Sequence, residues 1–195
     1  MSHFFVPMLD PLIRAITQAS DPQALLAAVA ALAATGDPEA IPHLVKAFGY
    51  NQAAVSEVAL AAVITFGSLA VEPLLDSIDG YDYGARAYSV RALAAIGDPR
   101  ALGFLLDAVT ADFAPSVRRA AVRGLGRVGK QASGQAQAKL QEVLARCAQD
   151  PDWGIRYALV CALGDLGGYP DLVQRLLADG DALVRAKAQL TFGAA

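Results

Sequence analysis

Glycine returns along this chain at a near-fixed interval, and its surroundings return with it. Gly36, Gly67, Gly97, Gly129 and Gly167 each stand eleven residues after Leu25, Ser56, Arg86, Arg118 and Arg156. With Arg185 added, these reference positions are spaced by 31, 30, 32, 38 and 29 residues. A period near 30 residues restricts the fold to stacked copies of one small unit. The unit is read most clearly from Tyr81 to Gly126. A helix is expected from Tyr83 to Ile96, with Ala87, Val90, Leu93 and Ala94 at helical spacing. Gly97 is placed to end it in a left-handed conformation. Asp98 caps a second helix and Pro99 falls in its first turn. Ala101, Leu102, Leu105, Leu106 and Val109 form that helix's apolar stripe, and at Asp112 the cycle restarts.

The same grammar reads backwards and forwards from there. Helices are expected from Asp10 to Ser20, Pro22 to Thr35, Pro38 to Phe48, Gln52 to Phe66 and Leu69 to Ile78. The Pro22 helix is almost pure Ala, Leu and Val, which predicts burial on most sides. Pro73 kinks or shortens the last of these, unless that helix starts later and holds it in its first turn. Lys130 to Ala138 accounts for the long interval as a larger loop or a longer second helix. No stretch shows strand-like alternation. The expected fold is therefore all-α, an α-solenoid of about five helix pairs plus a helix at each end. Each unit covers its neighbour, so residues 1–195 are expected to form one domain, with 1–80 diverged and 81–195 typical.

Composition sets limits on function. Apolar residues make up 55% and charged residues 18%, enough for a core. No apolar run approaches the roughly 18 residues of a membrane span. MSHFFVPMLDPLIR has no basic region before its apolar residues, so no secretory leader is expected. Cys147 and Cys161 are too few for a disulfide framework, and a reduced, cytoplasmic protein is expected. A net charge of −3 disfavours general nucleic-acid binding. The charge is segregated, however. Residues 81–130 hold seven Arg and one Lys against four acids, whereas residues 1–80 hold two bases against eight acids. A local anion site in the middle fits that pattern.

Two patterns nominate residues. Arg86, Arg118, Arg156 and Arg185 recur once per unit, and Asp112, Asp150 and Asp179 precede the last three by six residues. A ladder of ion pairs between repeats explains those four. Arg91, Arg119 and Arg123 are additions to the repeat, with either a solvated helix face or an anion site to explain them. Tyr83 and Trp153 stand three residues before a reference Arg, and Tyr88 and Tyr157 about one turn further on. Aromatics beside Arg can stack a flat conjugated ligand while guanidinium groups hold its carboxylates, or they can fill the core between repeats. No catalytic constellation appears. His3 and His43 are the only histidines, so no metal site is expected. GRVGKQASG lacks a Gly-Lys-Ser/Thr phosphate loop.

YDYGARAYSVRALAAIGDPRAL, DFAPSVRRAAVRGLG and DPDWGIRYALVCAL resemble the HEAT-like repeats of the cyanobacterial E/F-type phycobilin lyases, on the side of their F (beta) subunits. The likeness is close over residues 81–129 and 150–163. It implies HEAT-like helix pairs and a subunit that attaches an open-chain tetrapyrrole, phycocyanobilin, to a cysteine of the phycocyanin α subunit by a thioether. The thiol adds to the exocyclic double bond of ring A, with no ATP, metal or other cofactor. The protein's task is then to hold and present the bilin. For that task the charge and aromatic patterns nominate Arg86, Arg91, Arg118, Arg119 and Arg123 as propionate ligands, Asp82 or Asp112 for the pyrrole N–H groups, and Tyr83, Trp153 and Tyr157 as walls. The resemblance implies an E-type partner subunit, with Leu12 to Ala34 a candidate docking surface. Isomerising relatives carry an adjacent His-Cys pair, which is absent here, so isomerisation is not expected. The competing readings are a non-catalytic adaptor, a protein that dismantles phycobilisomes or detaches bilin, and a DNA-repair glycosylase, which the charge balance disfavours.

Overall fold

A computed structural model describes residues 9–78 and 82–193. Tyr81, the first residue of the repeat as read from sequence, and the segment before Leu9 lie outside the described residues. The helices are α1 (Leu9–Gln18), α2 (Pro22–Ala34), α3 (Ile41–Lys46), α4 (Ala53–Thr65), α5 (Val71–Asp76) and α6 (Tyr83–Ile96). They continue with α7 (Leu102–Ala111), α8 (Pro115–Val128), α9 (Gly134–Cys147), α10 (Trp153–Leu166), α11 (Pro170–Leu177) and α12 (Ala182–Phe192). The described residues thus hold five pairs, α2/α3 to α10/α11, between α1 and α12, and no strand. This is an α-solenoid of HEAT-like pairs. Two compact units divide between Ala92 and Leu93, within α6.

In the first unit α2 packs on α1 and α4, and α3 on α4 and α5. The core there is Val29, Leu32, Leu44, Phe48, Val55, Val63, Val71 and Leu74. The expectation that α2 is buried on most sides is corrected. Only Ala28, Val29 and Leu32 are buried, a single stripe. Counting apolar residues overstated burial because most of them are alanines, which favour helix without demanding cover. Pro73 does fall in a first turn. A 3-10 turn, Gly67–Ala70, delays α5 to Val71.

Turn chemistry explains the pairs. Gly36 and Gly97 have φ of +62° and +72°. The following Asp37 and Asp98 each accept the backbone N–H two residues on, at 2.9 and 3.0 Å, opening 3-10 turns on Pro38 and Pro99. Gly129 differs, because its φ is −70° and the chain runs on into the turn Gly129–Gln131. A Cβ there would meet Leu140 Cδ2 at 2.8 Å and Leu166 Cδ2 at 2.9 Å, so packing requires that glycine. Of the six residues that distinguish the 38-residue interval from its 32-residue predecessor, about four lengthen the second helix, α9 having 14 residues against 10 in α7, and the rest lengthen the connection into α10, so the longer second helix is the main answer.

In the second unit α8, α10 and α12, which carry Arg118, Arg156 and Arg185, pack side by side. They approach closely. A Cβ on Gly126 would lie 2.7 Å from Ala162 Cα and 2.9 Å from its carbonyl oxygen. Backbone cannot yield as a flexible side chain does. Helix propensity alone favours alanine over glycine by about 1 kcal/mol. The clash reverses that sign. Gly126→Ala is expected to destabilise the protein by about 1–2 kcal/mol in urea unfolding, and a stabilised variant refutes the close approach.

Candidate functional site

The repeated arginines are built into the turns. Asp112, Asp150 and Asp179 each use Oδ1 to accept the backbone N–H two residues on, at 2.9, 2.9 and 2.8 Å. Arg118 then reaches forward to Asp150 Oδ2, and its Nε donates to the Val109 carbonyl at 3.3 Å. Arg156 grips Asp179 with Nε and Nη2 at 2.8 and 3.0 Å while Nη1 donates to the Asp150 carbonyl at 2.7 Å. Arg185 Nη1 donates to the Asp179 carbonyl at 2.6 Å. The ladder read from sequence is present in this unit. Asp112 is itself buried.

The additions to the repeat take other partners. Arg119 forms a two-pronged pair with Asp152, with Nε to Oδ2 at 3.0 Å and Nη2 to Oδ1 at 2.8 Å. Its guanidinium carbon stands 5.9 Å from the centroid of the Trp153 ring. Trp153 is 44% exposed, and Tyr157 meets it edge-on at 6.3 Å. The next residue, Gly154, leaves room for this arrangement, since a Cβ there would collide with the Arg119 guanidinium. Asp152 also caps α10, accepting the Gly154 N–H at 2.8 Å. Burial alone would raise its carboxyl, but the hydrogen bonds from Arg119 and the Gly154 N–H outweigh this and hold it below the usual carboxylate range. Arg123, one turn on from Arg119, is exposed and makes no ion pair with another described residue.

The first unit holds the remaining nominees. Asp82 caps α6 by accepting the Ala85 N–H at 2.9 Å. Tyr83 opens that helix 58% exposed, and Arg86 follows on the same helix. Arg91 pairs both ways with Glu57, at 2.7 and 3.1 Å, and stands 5.0 Å from the Tyr88 centroid. Tyr88 in turn stacks on Phe48 at 5.5 Å. The structure therefore brings Arg119, Trp153 and Tyr157 together in one unit and Arg91 with Tyr88 in the other.

The comparisons add identity to this geometry. Residues 71–138 and 104–193 match the HEAT repeat family, and residues 24–50 match the PBS lyase HEAT-like repeat. The phycocyanobilin lyase subunit beta of Nostoc sp. PCC 7120 is 43% identical over 94% of this chain and 98% of its own length. That of Thermosynechococcus vestitus is 42% identical over 93% of each chain. This chain belongs to the family of phycocyanobilin lyase beta subunits.

A solved complex of CpcE and CpcF of phycocyanin lyase from Nostoc contains a chain matching 80% of this one and 99% of its own length, 43% identical with a TM-score of 0.68. A designed armadillo repeat protein, 19% identical with a TM-score of 0.58, shares the fold alone. For a beta subunit of this family, the residues that sequence reasoning overlooked are Asp152, Gly154 and Glu57. Asp152 was findable. Asp82, Asp152 and Asp181 all stand four residues before a reference Arg, whereas the α8 unit has Ala114 there. Glu57 carries no positional signal. Among the described residues no helix is long and apolar enough to cross a membrane.

The ladder has a pH signature. The hydrogen bond from Arg156 holds the Asp179 carboxyl below its usual range. A depressed folded-state value stabilises the protein above the unfolded pKa, about 3.9, and the benefit is lost as pH falls through the folded value. Asp179→Asn is expected to cost about 2 kcal/mol at pH 7. The gap should narrow as pH falls below the unfolded value and close once pH is below the depressed folded-state value, checked by urea unfolding across pH.

Proposed function

We infer that this protein is the F-type subunit of a heterodimeric bilin lyase. With an E-type subunit it attaches phycocyanobilin through a thioether to a cysteine of the phycocyanin α subunit. The observation that carries this reading is the 43% identity to a phycocyanobilin lyase beta subunit along nearly the full length of both chains. The site chemistry agrees with it. The S–H adds across the exocyclic double bond of ring A, sulfur to one carbon and the proton to the other, so neither ATP nor redox cofactor is consumed. What remains for the protein is to hold a flexible conjugated substrate in one geometry beside the acceptor thiol. An exposed Trp153 ring braced by Tyr157 and Arg119 offers a stacking wall, and the basic α8 offers carboxylate ligands. Work in the cytoplasm, where phycocyanin is assembled, is part of the same reading.

Reconstitution tests it. The purified protein and an E-type subunit are mixed with phycocyanobilin and apo-phycocyanin α subunit, and zinc-enhanced fluorescence of the denatured α subunit is followed. Covalent adduct that requires both subunits is the expected result. Adduct no greater than in their absence, with no shift in bilin absorbance, leaves the adaptor reading in its place.

A further inference from the structure

Helices α8, α10 and α12 of the second unit hold six guanidinium groups, and five are already engaged. Arg118 and Arg156 lie on the ladder, and Arg185 closes its own turn. Arg127 donates to the carbonyls of Ala94 and Ala95, at 3.3 and 2.7 Å, at the end of α6. Arg119 is committed to Asp152. Of these six, Arg123 alone has no such partner among the described residues, and it is exposed.

Register places that free cation beside the aromatic wall. Arg119 and Arg123 are four residues apart and share a face of α8, about 6 Å apart along its axis. Trp153 and Tyr157 have the same relation on α10, against which α8 packs. Arg119 faces Trp153, so Arg123 lies one turn further along that face. A flat conjugated ligand lying on the Trp153 ring and carrying a carboxylate on a short arm meets a guanidinium whose donors are unspent. Arg119 serves less well, because its Nε and Nη2 are spent on Asp152 and only Nη1 is left for a ligand.

We propose that Arg123 takes a propionate of the bilin, and that Asp152, acting through Arg119, is a positioning residue that sets the Trp153 ring as the wall beside it. This rests on the lyase reading above. It divides the sequence-nominated arginines by role: Arg119 shapes the site and Arg123 binds the anion.

Phycocyanobilin and its dimethyl ester, which lacks the propionate charges, are the probes. Each is titrated by absorbance into the complex with the E-type subunit. The free acid is expected to bind about tenfold tighter than the ester, the scale of a charge-assisted hydrogen-bonded pair. Arg123→Gln is expected to erase most of that preference and Arg123→Lys to restore part of it. Asp152→Asn keeps a good helix cap but loses the charge that holds Arg119. It should weaken acid and ester alike by about threefold or more, leave the preference intact, and shift the emission of Trp153, the only tryptophan in the chain. A full acid preference in Arg123→Gln overturns the anion assignment. Unchanged binding and emission in Asp152→Asn overturns the positioning role. A wild-type complex that binds neither probe removes the lyase reading itself, a result distinct from both.

Discussion

Asp179 is almost wholly out of water, and Arg156 makes that tolerable. A buried carboxylate is costly unless it is paired and fully hydrogen-bonded. Here one oxygen takes the backbone N–H of Asp181 and both oxygens take Arg156. The same arginine donates to the carbonyls of Asp150 and Pro151 in its own turn. Each rung therefore fixes two turns at once, the one it sits in and the one it reaches. Arg118 and Asp150 repeat the arrangement one unit earlier. With the turns fixed, α8, α10 and α12 can slide little along one another. The close backbone approach at Gly126 and Ala162 removes the remaining freedom.

That register is what converts a repeat into a site. The N-cap position of α8, α10 and α12 holds Ala114, Asp152 and Asp181. Asp181 spends its Oδ1 on the N–H groups of Leu183 and Val184. Asp152 caps its helix and still has room for Arg119. The position equivalent to Arg119 is Tyr157 on α10 and Ala186 on α12, neither of which can make that pair. One acid in a position shared with other repeats, opposite one arginine that other repeats lack, produces the Arg119–Asp152–Trp153 cluster. Gly154 completes it by omission, since any side chain would push Arg119 aside.

The fold was legible because it is written in local signals. Gly97, Asp98 and Pro99 state a turn regardless of what surrounds them, and the period of the arginines states how turns recur. The α2 helix was misjudged because hydropathy does not separate residues that need cover from alanines that tolerate water. Gly129 recurs in step with Gly97, yet its missing Cβ serves the side chains of Leu140 and Leu166, which no local pattern announces. The residues of the candidate cluster were legible to the same degree. Arg119 stood out as an addition to the repeat, and Trp153 and Tyr157 as aromatics beside a reference Arg. Which arginine is locked and which is free depends on Asp152 and Glu57, 33 and 34 residues from Arg119 and Arg91. Partners at that distance across a repeat become visible only when neighbouring units are stacked.

On the proposed function, an electrophilic bilin is held for another protein's thiol, and Cys147 has to stay out of that reaction. Burial, with the charge of Asp150 adding to it, pushes the Cys147 thiol up to about 12. At neutral pH its thiolate fraction is then on the order of 10⁻⁵, and the thiolate is the reacting form. The side chain is also only 3% exposed, so the bilin cannot reach it. The same division appears on the binding side. Arginines that hold the turns are consumed by aspartates and carbonyls and cannot trap the substrate, so binding falls to what the structure leaves over. A wall preset by a protein ion pair needs little ordering when the ligand arrives, and less of the binding energy is lost in immobilising it. For a substrate whose reaction is easy but poorly directed, selectivity then comes from geometry that exists before binding rather than from acid–base chemistry.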